Sequence, residues 1–555
     1  MQAILTNRNI QLTFVGILLF IFLLGNYQFS LWDKAESIVA LKAQQIVKTN
    51  DWTPVFSHFI DGFRVHPLQI WETALSYKIF GVSEFATRFP SLLYSIFTLV
   101  VLLYFVRRSH DEKTGILAVL ILSTSFLLPT FAKINLAESG LLFYATVMFG
   151  AFSESLKTKN IALTIVFWLA ATLSTFHGGF IAILPFVGTW LLLFFIKKDW
   201  RTALFNIQPY LIILAIIPII AWALINKVDA TSLNTNYNAI KPSASAKISR
   251  QSLLLLLGFL PWIALLPASL VRLSKNISKK EDNALLFGGW ILFGFLLFEF
   301  LPTSMQMPSV VVFPAIAILM AQQFWNYNDA CERFQNAPIN EHIEIRVKKA
   351  GFKDENIMKT SQLLGVIAVF IITFMLSMIG YKQGVGILRT GFVGMILWIT
   401  SFIVAIGLYA RNANMILYGA TSGGLLFLLF TYLLVIPVLE PARSFTKRTA
   451  AAVQEVESND IFIYANPDNI PPSLHFYLNN LQFENDKTTI HFNPTSDLSS
   501  LYHNNDNLTL ILDSQHYKSL KETPHFDKNK IEKTIKVEGV SITDKKATNY
   551  WVIQK

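Results

Sequence analysis

The sequence predicts a polytopic α-helical membrane protein that ends in a small α/β domain. Composition and the change of pattern near residue 440 carry that prediction. Of 555 residues, 53% are hydrophobic and only 15% are charged, and the mean hydropathy is +0.45. The apolar residues fall in runs of about 20, the length that crosses a bilayer core as a helix. Backbone groups in lipid must pair within their own segment, so these runs are helices. Past residue 440 the apolar runs shorten to strand length.

About thirteen spans are expected, at 10–27, 86–106, 114–130, 136–153, 160–176, 178–196, 206–226, 251–271, 284–302, 308–326, 361–380, 387–409 and 415–438. Basic residues crowd the short loops on one side: Arg107, Arg108 and Lys113; Lys157 and Lys159; Lys197, Lys198 and Arg201; Arg272, Lys275, Lys279 and Lys280. Positive loops stay inside, so the N-terminus is expected in the cytoplasm and the tail outside. The net charge of +10 is then mostly topology rather than a nucleic-acid footprint. The single cysteine, Cys331, falls in an expected cytoplasmic loop, which leaves the exported parts without disulfides. No Walker loop, HExxH or dinucleotide glycine fingerprint is present.

Residues 1–440 form the expected membrane domain and 441–555 an extracytoplasmic α/β domain. The tail offers strands at Ile461–Tyr464, Thr489–Phe492, Leu508–Leu512, Thr534–Val537 and Tyr550–Ile553, with helices at Leu474–Leu481 and Ser514–Glu522. Between the first two spans, Leu31–Pro90 opens with a segment too polar to cross a bilayer, yet one rich in Trp and Phe. It reads as an outer shelf with two amphipathic juxtamembrane helices, Glu36–Lys48 and Pro67–Phe80.

Carboxylates at a membrane edge are costly and mark candidate sites. Asp33 and Glu36 open the shelf, Glu138 opens the fourth span, and Glu299 ends the ninth, all at the outer face. Asp33 and Glu36 could equally cap a helix start, and Glu299 could pair with a nearby cation. Arg64 and His66 before Pro67, and His177 before Gly178-Gly179, are cation and imidazole groups suited to a phosphate.

The same residues carry a family resemblance. Leu31-Trp32-Asp33-Lys34-Ala35-Glu36 with Asn50-Asp51-Trp52, then His66-Pro67-Leu68, and above all Phe80 to Ser91 (FGVSEFATRFPS) resemble bacterial aminoarabinose-transferase-like and protein mannosyltransferase-like glycosyltransferases of the GT-C class. Leu257–Trp262 and Pro471–Leu478 extend the likeness over nearly the whole chain. The resemblance implies a GT-C-like bundle and a sugar donor carried on a polyprenyl phosphate. It implies transfer on the outer side of a bacterial inner membrane, and a catalytic acid in the first outer loop. Glu36 matches the second member of the family's Asp-Glu pair, whose first member falls on Ala35; Asp33 lies two residues earlier. Glu138 matches an acidic position, and His66, His177 and Gln306 stand where lysines are common.

The expected activity is therefore transfer of a sugar to a lipid, glycan or protein acceptor. Asp33, Glu36 and Glu138 are the candidate catalytic residues, and Arg64, His66, His177 and Gln306 the candidate substrate-binding residues. Some relatives use a divalent metal; no metal-specific spacing is visible here. A flippase for a lipid-linked saccharide and a catalytically weakened scaffold are the alternatives. The lack of an internal repeat weighs against the flippase.

Overall fold

In the computed structural model the described residues are 8–27, 29–32, 36–52, 67–178, 183–197, 258–300, 308–338, 342–352, 354–382, 387–437, Glu440, 444–455, 460–465, 470–484, 489–492, 498–504, 508–522, 533–540 and 547–554, with a few isolated positions besides. Asp33, Arg64, His66 and Gln306 lie outside them, as does most of the expected seventh span.

The N-terminal part begins with helices α1 (Arg8–Leu23), α2 (Glu36–Thr49), α3 (Pro67–Phe80), α4 (Glu84–Ser109), α5 (Glu112–Thr124), α6 (Leu127–Phe131), α7 (Ala137–Thr158), α8 (Ile161–Gly178) and α9 (Leu184–Lys197). There follow α10 (Leu265–Ser278), α11 (Asp282–Phe300), α12 (Phe313–Asn336), α13 (Ile343–Ala350), α14 (Glu355–Lys382), α15 (Ile387–Tyr409) and α16 (Ala413–Phe430). Among the described residues six helices are long and apolar enough to cross a membrane, and three shorter apolar helices accompany them.

Three expected spans differ in instructive ways. The third is broken: α5 ends at Thr124, where the Ser125 hydroxyl donates to the Ile121 carbonyl at 2.5 Å, and α6 restarts two residues on. The eighth is not one helix, since 259–264 are turn and 3₁₀ backbone around Pro261 and α10 begins only at Leu265. A proline cannot donate into a helix ladder, which accounts for the interruption. The fourth, α7, is a helix but a polar one. It packs against α4 and α8, and Glu138, Ser139, Glu154 and Ser155 are buried along it. Protein neighbours rather than lipid solvate those groups.

Large aromatic residues fill the bundle core. The Phe149 and Trp290 rings stack 4.1 Å apart, and the Trp262 indole donates to the Thr124 hydroxyl at 3.0 Å, tying the 3₁₀ turn to α5. The basic loop ends meet one another's acids: Arg108 pairs with Glu154 at 3.0 Å and Lys275 with Asp354 at 2.6 Å.

Beyond Glu440 come α17 (Phe445–Gln454), α18 (Pro472–Glu484), α19 (Leu498–Asn504) and α20 (Ser514–Lys521). The strands are β1 (Asp460–Tyr464), β2 (Thr489–Phe492), β3 (Thr509–Asp513), β4 (Lys533–Val540) and β5 (Ala547–Gln554), in spatial order β2-β1-β3-β5-β4. β1 runs parallel to β2 and β3, and β5 antiparallel to β3 and β4. β3 is buried throughout, as a continuous apolar run between two neighbours should be.

The two shelf helices part company. Of α3, Leu75, Ile79 and Phe80 remain exposed, an apolar face free to meet lipid. On α2, Ile38, Val39, Ala40, Ala43 and Ile46 are buried, and it packs on α18. The expectation of a helix lying on the membrane is corrected for α2. Its Ala40, Ala43 and Ile46 share one apolar cluster with Phe445, Leu474, Phe476 and Ile463. The amphipathic face is real, but helix α18 of the C-terminal region covers it.

Candidate functional site

The resemblance block Phe80–Ser91 builds the site locally. Gly81 takes φ +77, a conformation that costs other residues a Cβ clash, and so turns the chain from α3 into α4. Ser83 then caps α4, its hydroxyl accepting from the Ala86 amide at 3.2 Å. One turn further in, Arg88 is 1% exposed.

Arg88 organises the end of the bundle next to the shelf. Its Nε and Nη2 donate to the two oxygens of Glu36 at 2.8 and 2.9 Å. Nη1 donates to the carbonyls of Asn26 and Phe29 at 3.2 and 2.8 Å, and Nη2 also to that of Ser30 at 2.8 Å. Glu36 accepts further from the amides of Trp32 at 3.0 Å and Asn135 at 3.1 Å. Its carboxylate, 0% exposed, thus has about four acceptor sites and four donors. A proton acceptor needs a vacant lone pair, so this geometry suits Glu36 to holding its neighbours in place rather than to acting as the free base expected above.

Asn135 extends the network. Gln69 donates to its carbonyl and side-chain oxygens at 3.1 and 3.2 Å, and its amide nitrogen donates to Thr73 at 2.8 Å. Three residues later Glu138 opens α7 and is buried. Glu36 and the start of α7 therefore sit together. Lys133 is buried, and its ammonium donates to the carbonyls of Ile21, Phe22 and Leu24 at 2.6, 2.9 and 2.6 Å. It caps the C-terminal end of α1, where the helix dipole favours a cation. Burial, with the Arg88 charge nearby, pushes its pKa down to about 7.

These groups border a cavity of about 80 Å³, lined by Phe29, Ser30, Leu31, Trp32, Arg88 and Lys133, with Tyr432 and Glu440 from later in the chain. Its walls are mostly apolar with a few converging charges, the character of a site for an amphiphile.

A second polar cluster lies under α3. The Tyr94 hydroxyl donates to Glu72 Oε1 and shares a 2.7 Å hydrogen bond with Tyr144. His177 Nδ1 is 3.8 Å from Glu72 Oε2, and its ring meets those of Tyr94 and Tyr144 edge-on. Gly140 makes room for it: a Cβ there would come within 2.3 Å of His177 Nε2. The cluster joins one side chain from each of α3, α4, α7 and α8. Burial pushes the Glu72 carboxyl up to about 7, opposed in part by Tyr94.

The folded protein holds this proton more tightly than the unfolded chain does, so stability falls as pH rises from about 4.5 to about 7 and is level above. The loss amounts to about 3 kcal/mol. Unfolding of the detergent-solubilised protein across pH 4–8 is expected to show this slope, and Glu72→Gln to flatten it. His177, Tyr94 and Tyr144 face the same carboxyl and stay unchanged in that comparison. An identical slope in the variant would remove the assignment.

Sequence reasoning missed Arg88 and Glu72 as organising residues. A signal existed for both, because each is a charged residue inside an otherwise apolar helical run. Among the described residues no three His, Cys, Asp or Glu side chains converge to hold a metal ion.

Residues 65–225 match the family described as dolichyl-phosphate-mannose-protein mannosyltransferase. The fold is that of the ArnT crystal structures from Cupriavidus metallidurans. The complex with undecaprenyl phosphate aligns with a TM-score of 0.70 at 13% identity over 98% of both chains, and the apo form with a TM-score of 0.65 at 14% identity. The chain thus has the fold of a multi-pass GT-C membrane glycosyltransferase. Among curated relatives, an undecaprenyl phosphate-alpha-4-amino-4-deoxy-L-arabinose arabinosyl transferase from Edwardsiella ictaluri is 25% identical over 312 residues, 52% of this chain and 55% of that one. An uncharacterized protein of Aquifex aeolicus is 32% identical over 148 residues, 26% of this chain and 29% of that one. The chain spans about half the length, or less, of these curated relatives.

Proposed function

We propose that this protein is a membrane glycosyltransferase that moves a sugar from a polyprenyl-phosphate carrier to an acceptor hydroxyl at the extracytoplasmic face of a bacterial inner membrane. The observation that carries the reading is the end-to-end likeness to the undecaprenyl-phosphate-bound ArnT fold, joined to a mostly apolar cavity beside Trp32, Arg88 and Lys133. The names of the arabinosyl transferases among the relatives favour an amino-deoxy-pentose donor. Lipid A is the first acceptor to try. A surface glycan and a protein are the other acceptors.

In this reading the acceptor oxygen attacks the anomeric carbon, its proton passes to a carboxylate, and the bond from that carbon to the phosphate oxygen breaks. The electron pair leaves with the polyprenyl phosphate. Asp33 is the base, and Glu36, held by Arg88, positions the Trp32 amide just before it. Glu138 orients the acceptor. Arg64, His66, His177 and Gln306 offset charge on the departing phosphate or hold sugar hydroxyls. Residues 1–440 form the membrane domain with a cytoplasmic N-terminus, and 441–555 an extracytoplasmic domain lying over the shelf.

The test is reconstitution in proteoliposomes with an undecaprenyl-phosphate-linked amino sugar and lipid A, followed by mass spectrometry of the lipids. A mass increase of one sugar on the acceptor is expected. Movement of the donor across the bilayer with no product would replace the transferase by a flippase.

A further inference from the structure

We propose that Tyr477 and Glu440 are positioning residues of the transfer site, clamping the backbone that forms one wall of its cavity. The inference rests on the functional reading above for its role in turnover, and on geometry alone for the clamp.

Residues 29–32 belong to no helix or strand, yet Phe29, Ser30 and Leu31 are buried. Buried backbone groups must find partners, and here side chains from distant elements supply them in succession. The Ser30 amide donates to Glu440 Oε1 at 2.6 Å, the Leu31 amide to the Tyr477 hydroxyl at 2.8 Å, and the Trp32 amide to Glu36 at 3.0 Å. Arg88 takes the carbonyls of Phe29 and Ser30. Tyr477 is itself fixed: its hydroxyl donates to Glu84 at 3.3 Å, and Lys447 donates to the same Glu84 oxygen.

Three consecutive amides thus depend on three parts of the chain. Glu36 follows the first outer turn, Glu440 follows the last membrane helix, and Tyr477 lies on α18 of the C-terminal region. All four residues 29–32, and Glu440, line the cavity. Docking of the C-terminal region onto the shelf is therefore coupled to the shape of the cavity wall.

The experiment uses the full chain in lipid nanodiscs with Tyr477→Phe, Glu440→Ala and Glu440→Gln. Tyr477→Phe and Glu440→Ala are expected to speed amide exchange in a peptide covering residues 26–32 about tenfold, the weight of one such hydrogen bond. With an undecaprenyl-phosphate-linked amino sugar as donor, kcat should fall by a similar factor while donor KM moves less than about twofold and the melting temperature barely shifts. Glu440→Gln, which keeps a carbonyl acceptor, should restore both readouts. Wild-type exchange in Tyr477→Phe and Glu440→Ala overturns the clamp, and so does a loss confined to KM. Should the wild type transfer no sugar, the functional reading fails separately and the exchange rates alone decide the clamp.

Discussion

Replacing Asp33 with alanine is expected to lower kcat for sugar transfer by about 10²–10⁴-fold, the weight of a positioned general base, with no change in melting temperature. Asp33 follows Trp32, whose amide is fixed by Glu36, and it is the first carboxylate after α1 in the sequence. Glu36→Ala should also abolish turnover, but by a different route, since it strips four donors of their acceptor and loosens the fold. Melting temperature separates the two. A wild-type rate in Asp33→Ala would move the base elsewhere, and full activity in the Asp33, Glu36 and Glu138 alanine variants alike would end the mechanism. Ala35→Asp bears on the same point, because a large gain would place the preferred base two residues later in the chain.

Arg88→Ala should be the most destabilising single change at the shelf end of the bundle, costing about 3–5 kcal/mol. It leaves the fully buried Glu36 carboxylate without a counter-charge and removes donors from the carbonyls of Asn26, Phe29 and Ser30. Arg88→Lys keeps the charge but not the planar fork that meets two carboxylate oxygens and three carbonyls at once, so most of the loss should persist. The double variant Glu36→Leu/Arg88→Met should regain part of the stability, because apolar packing can replace a buried pair. It should not regain transfer, because the Trp32 amide has then lost its anchor. Thermal unfolding of the three detergent-solubilised variants reads this series, and an Arg88→Ala protein that melts with the wild type would refute it.

What could be read from the chain was what depends on neighbours in sequence. The Gly81 turn, the Ser83 cap and the start of α4 are set within a few residues, so a short block carried them. The shelf helices were placed to within about a residue by apolar spacing. The expected catalytic and binding residues were chosen for charge near a membrane edge. That criterion does not distinguish a free carboxylate from Glu36, which is saturated by groups 4, 52 and 99 residues away in sequence. Nor could it gather Glu72, Tyr94, Tyr144 and His177, each alone on its own helix.

By itself the sequence determined that the chain enters the bilayer many times, that a polar, aromatic shelf follows α1, and that strands close the tail. These follow from hydrophobicity and local backbone preference, properties a segment has before it meets any other. Only the tertiary structure decided that α2 lies under the C-terminal layer rather than on lipid. It also decided that Lys133 caps α1 and that Arg88 with Glu36 ties the cavity wall together. Those outcomes depend on which distant groups share a low-dielectric space, where a charge persists only if opposite charges and dipoles converge on it.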